Sequence, residues 1–227
     1  MKSYIEQKCT DVRVDVKDPI ASLTLSLDKL LQRIEEMDYY QKSIRKLLSD
    51  VGIEIRTPTL EEFSRALKDG KESLSKIVNE INALSIYDKL ILYEYLNRLV
   101  TGRGRGRGRR GLLERLDSFE KELSEIINKY VNLESLLREI VELGNKVVEI
   151  VIPDASNAFR EDLHQIITES QILAGTSRID PSKLEELIKN LEAYYAELKK
   201  FYEDYREYYG KMSDIKVRLD EARKYYK

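Results

Sequence analysis

"LLERLDSFEKELSEIINKYVNLESLLREIVELGNKVVEIV" occupies residues 112–151. Leu112, Leu116, Phe119, Leu123, Ile126, Tyr130, Leu133, Leu137, Ile140, Gly144, Val147 and Val151 recur there at alternating steps of three and four. Those steps line up on one side of an α-helix and form the apolar seam of a heptad pattern. Pro153 follows and stops the helix, because proline lacks the amide donor and clashes with the preceding turn. At about 1.5 Å per residue, a helix over 112–152 is roughly 60 Å long.

The same seam continues upstream. "DPIASL" opens a helix with Asp18 as cap and Pro19 in the first turn. Leu27, Leu30, Ile34, Met37, Gln41, Ile44, Leu48 and Val51 carry the seam, broken once by Gln41, and Gly52 ends it. "TPTLEEF" starts the next run with Thr59 capping, and Leu60, Phe63, Leu67, Gly70, Leu74, Ile77, Ile81 and Leu84 follow. The phase slips at Ser85 and resumes at Leu92, Tyr95 and Leu99, as in a four-residue stutter. One bent helix over 59–101 is the preferred reading. The alternative is a fresh helix capped by Ser85, which with Asp88 resembles a capping box.

Downstream, a shorter helix turns Phe159, Leu163, Ile166 and Leu173 inward and ends at Gly175. "DPSKLEEL" opens the last helix with Asp180 as cap. Its seam begins Leu184, Leu187, Leu191, Tyr194, Leu198 and Phe201. It runs on through Tyr205, Tyr208, Met212, Ile215, Leu219, Ala222 and Tyr226. The equal runs 59–101 and 112–152 predict an antiparallel hairpin with residues 102–111 at its tip, and the last helix packing alongside. "DVRVDVK" at 11–17 alternates Val12, Val14 and Val16 with charges, a period-two strand signal. The expected fold is therefore all-α: an elongated antiparallel helical bundle with a coiled-coil hairpin. An extended arm over 1–17 precedes a single bundle over 18–227.

Composition narrows the function. Net charge is −2, but six arginines and no acid lie between Tyr95 and Leu113, so the rest of the chain carries −8. The tract "TGRGRGRGRRG" at 101–111 resembles RG-rich segments of RNA- and DNA-binding proteins. In an extended backbone its alternating arginines fall about 6–7 Å apart on one side, a spacing suited to repeated phosphate contacts. Arg103, Arg105, Arg107, Arg109 and Arg110 are the candidate nucleic-acid-binding residues. "GRGRRG" at 106–111 has the form of a dinucleotide fingerprint but lacks the strand on either side that such a site needs.

Cys9 is the only cysteine, which excludes an intrachain disulfide and a cysteine-based zinc site. His164, the only histidine, forms an E-x-x-H pair with Glu161, and a di-metal bundle needs two such pairs. No catalytic residue, metal or cofactor is assigned. The first residues carry no apolar signal core, and no apolar run is long enough for a membrane span, so a cytoplasmic location is expected. Abundant Glu, Lys, Ile and Tyr, with one His and no Trp, read as a thermophile's composition.

The heptad seams point to a non-enzymatic helical scaffold or assembly protein that acts through coiled-coil-like contacts with a protein partner or with itself. A homodimer is expected, through the Val12–Val16 strand or the tyrosine-rich last helix, where "YY", "FY" and "YY" stand seven apart at 194, 201 and 208. A DNA- or RNA-binding protein working through the Arg/Gly tip is the alternative. A metal-dependent helical-bundle enzyme built on Glu161 and His164 is the remote one.

Overall fold

The first helix shows how the seam becomes a core. In α1 (Pro19–Asp50), Leu30, Ile34, Met37, Gln41, Ile44 and Leu48 are all buried, and Ile20 and Leu23 extend the stripe toward the helix start. The helix ends as Gly52 predicts. Its φ of +82° is left-handed, the Ile53 amide donates to the Leu48 carbonyl at 2.8 Å, and the Gly52 amide donates to Ser49 at 2.9 Å. This is a Schellman closure, sealed by apolar contact between its two ends. Leu48 and Ile53 are both buried.

This computed structural model describes residues 19–55, 60–102, 111–150, 155–169 and 180–225. Among them are six helices and no strand. Beyond α1 these are α2 (Glu61–Asn82), α3 (Ile86–Thr101), α4 (Leu112–Ile150), α5 (Ala155–Glu169) and α6 (Pro181–Tyr225). The expected arm over 1–17, and with it Val12, Val14 and Val16, lies outside the described residues. So do Asp18, Thr59, Leu173 and Gly175. The chain divides into two compact units, Met1–Asp38 with Thr59–Ile127, and Tyr39–Pro58 with Asn128–Lys227.

In the first unit, the run 59–101 is two helices, not one bent helix. Ala83 and Leu84 turn the chain and Ser85 caps α3, its hydroxyl accepting from the Asp88 amide at 3.3 Å and donating to Asp88 Oδ2 at 2.6 Å. The hairpin of equal helices is corrected accordingly. An unbroken helix antiparallel to 112–152 would set Phe63 opposite the far end of that helix. With the break, the Phe63 ring lies 5.6 Å from Phe119, near the start of α4. The ion pairs Lys71–Asp28 (2.6 Å) and Arg33–Glu120 (3.5 Å) tie α2 and α4 to α1. The slip at Ser85 also rotates the seam: Val100 is buried, whereas Tyr95 and Leu99, expected inward, are exposed.

The second unit holds most of the large fully buried side chains. Tyr130, Leu133, Leu137, Ile140 and Val147 of α4, Leu163 and Ile167 of α5, and Leu184, Leu187 and Leu191 of α6 are all buried in it, with the end of α1 held to α4 by Gln41–Tyr130 and Ser43–Glu134 hydrogen bonds. Gly144 leaves space for the Phe159 ring, since a Cβ there would sit 2.3 Å from it. Asp180 caps α6 as expected, its carboxylate accepting from the Ser182 amide at 2.9 Å. Lys129 Nζ bridges to Glu185 and to the Pro181 carbonyl, each at 3.0 Å. Heptad counting erred by one position twice, since Ile127 and Ile167 are buried where Ile126 and Ile166 were expected. An ideal helix drifts against a strict seven-residue repeat, which moves the buried stripe by that much.

Candidate interaction surfaces

The last helix is built in two halves. From Leu184 to Leu198 its seam is covered within the second unit, and Tyr194 stacks on Phe159 with ring centroids 6.5 Å apart. Burial also holds the Tyr194 hydroxyl well above the usual tyrosine pKa, with the nearby Asp162 charge acting the same way. Beyond Leu198 no described side chain of α6 is buried, and from Arg206 to Lys224 every one is exposed. The apolar pattern nevertheless continues. Phe201, Tyr208, Met212, Ile215 and Leu219 keep the three-four steps, with Tyr208 61% and Leu219 60% exposed. This half of the helix presents a seam with nothing packed on it among the described residues.

Charge is ordered around that seam. With Tyr205, Met212 and Leu219 at heptad position a and Phe201, Tyr208 and Ile215 at d, the flanking positions carry Asp204, Lys211, Lys216, Arg218 and Arg223. Glu203, Glu207, Asp214, Asp220 and Glu221 fall on the outer face, together with Arg206 and Lys224. Lys211 Nζ meets Glu207 Oε1 at 2.5 Å one turn away, and that hydrogen bond and charge hold the Glu207 carboxyl below its ordinary pKa.

Among the described residues the first unit carries a second uncovered stripe. Ile86, Tyr87, Leu90, Ile91, Tyr95 and Leu99 of α3 are exposed, Tyr87 at 73% and Ile91 at 70%. Positions 87, 91 and 95 repeat every fourth residue and so share one helix face. Heptad reading missed this face because "IYDKLILYEYL" is apolar nearly all round. A helix of that kind gives no period to say which side is covered. The signal that was available is the capping pair Ser85 and Asp88, which resets the phase.

Arg103, Arg105, Arg107, Arg109 and Arg110 lie outside the described residues. The chain on either side of them is described. Gly102 is left-handed with φ +71° and closes α3, its amide donating to the Arg98 carbonyl at 2.9 Å. Gly111 is buried, and a Cβ added there would stand 2.4 Å from the Thr101 carbonyl carbon and 2.6 Å from the Gly102 nitrogen. The two ends of the tract therefore touch, backbone on backbone, and only glycine fits at 111.

His164 and Glu161 are both exposed on α5. Among the described residues no three His, Cys, Asp or Glu side chains are grouped to hold a metal, and no helix is long and apolar enough to cross a membrane. No protein-family model, curated protein or solved structure matches the chain.

Proposed function

We propose that the protein is a non-enzymatic helical scaffold that works by presenting coiled-coil-like helix faces to partner chains. The observation that carries this reading is the second half of α6, where a regular apolar seam persists with no side chain buried. A contiguous exposed apolar surface costs solubility and is a mark of association. The α3 stripe is of the same kind. A photo-crosslinking side chain placed at Ile91 or Ile215, with the protein in its own cells, tests the reading. Covalent adducts with other polypeptide chains are expected at one or both positions. Adducts with no polypeptide at either would end it.

A second reading is favoured by the Arg/Gly tract, whose charge density a neutral reversal of the chain does not need. Its ends meet at Gly102 and Gly111, so five arginines are carried between two fixed points. Replacing Arg103, Arg105, Arg107, Arg109 and Arg110 by Ser leaves the helices intact and removes nucleic-acid binding. For the wild type, log affinity for a duplex falls against log salt with a slope of about −4 to −5. Little sequence preference is expected, because phosphate contacts carry no base information. Equal retention of wild type and variant by nucleic acid at low salt, or none by either, would dismiss it.

A further inference from the structure

We infer that the exposed half of α6 docks antiparallel onto the same segment of a second copy of this chain, with the two-fold axis passing at the level of residue 210. The inference rests on the scaffold reading and names its partner. Packing of an apolar face supplies most of a helix's stability in proteins, and among the described residues this stretch has no such packing. It also carries Gly210 near its middle, where an added Cβ would meet nothing within 4 Å beyond its own helix. Its persistence calls for a second surface.

The order of side chains along the seam selects the partner. Phe201, Tyr205 and Tyr208 come first, and Met212, Ile215 and Leu219 follow. An antiparallel copy sets Phe201 against Leu219, Tyr205 against Ile215 and Tyr208 against Met212, and symmetry repeats each layer. Every aromatic ring then meets an aliphatic side chain, which fills space evenly between the helices. The flanks agree, because Asp204 falls beside Arg218 of the second copy, twice. Lys211 approaches its own equivalent at the axis, where Glu207 on its own helix already neutralises it.

Other pairings are worse on the same criteria. In a parallel pair the aromatics meet one another, Lys211 faces Lys216 and Arg218 faces Arg223, each twice. A seven-residue shift toward the C-terminus sets Lys211 against Arg218, also a like-charge pair. The opposite shift brings Leu219 to Tyr194, which Phe159 already stacks against. An anionic membrane surface is disfavoured too, since acids and bases are equal in number over 201–224.

The test uses full-length protein with Cys9→Ser as background. Tyr205→Cys and Ile215→Cys variants are mixed and mildly oxidised. A disulfide needs Cα atoms within about 7 Å, so only the antiparallel layer joins position 205 of one chain to 215 of the other. The expected product is the mixed dimer in at least tenfold excess over either self-linked species, and Asp204→Lys suppresses it while Asp204→Lys with Arg218→Asp restores it. Self-linking of each variant would establish a parallel pair and overturn the proposal. Absence of any disulfide, whether the chain is monomeric or dimeric by sedimentation, would overturn it as well. Adducts at Ile91 or Ile215 to other polypeptides would in that case leave the scaffold reading standing.

Discussion

Gln41 is the only buried polar side chain in the α1 seam, and its Nε2 donates to the Tyr130 hydroxyl at 3.3 Å. A buried polar pair in an apolar seam fixes which layers face each other, because any other register leaves both groups unsatisfied. Gln41→Leu should therefore cost about 1–3 kcal/mol, chiefly by stranding the Tyr130 hydroxyl. Gln41→Leu with Tyr130→Phe should recover most of that loss, and a double-mutant cycle by urea unfolding measures it. Burial also raises the Tyr130 pKa, partly opposed by the Gln41 hydrogen bond, and raises that of Tyr194 further. The neutral phenols are the forms the fold prefers. Their contribution is complete below the ordinary tyrosine value of about 10 and is lost as pH rises through the raised folded values. In an alkaline absorbance titration Tyr130 and Tyr194 should ionise above the ordinary tyrosine value, as should the half-buried Tyr195 beside Glu139, and Tyr194→Phe should lose less stability between pH 8 and 11 than wild type. At this scale the sequence was partly legible. Gln41 stood out as the break in its seam, but its partner lies 89 residues away, and no local pattern reports such a pairing.

At the scale of elements, the buried side chains of α1, α4 and the first half of α6 follow the apolar period, because each of these stretches has one face to bury. Gly52 and Asp180 do what glycine and aspartate do at helix ends. The run 59–101 was harder to read, since two local signals competed. A stutter and a new cap both account for the slip at Ser85, and the cap's hydrogen bonds prevail. Ser85→Ala should cost about 1 kcal/mol and speed amide exchange in the first turn of α3, while the first turn of α2 stays unchanged. Gly210 makes a separate prediction. It sits on the outer face of the exposed α6 seam with open space around it. Gly210→Ala should raise helicity by about 1 kcal/mol of propensity and strengthen self-association. A glycine needed for close helix approach would respond in the opposite way, and sedimentation equilibrium separates the two outcomes.

For the whole molecule, the pattern of coverage is what bears on function. Apolar periodicity shows which side chains want burial, but not whether the chain itself supplies the cover. The Leu184–Leu198 and Phe201–Leu219 portions of α6 look alike in sequence, and the described residues cover only the first. The α3 stripe is a second case, hidden in sequence by apolar residues on every side. On the scaffold reading proposed above, a seam continued past its own core is the surface that another chain would complete. Hydrogen exchange across α6 at two protein concentrations tests this most directly. Amides of residues 206–224 should be protected at high concentration and lose protection on dilution, while those of 184–198 stay protected at both. Exchange of 206–224 at unprotected rates at every concentration would contradict self-docking of this helix.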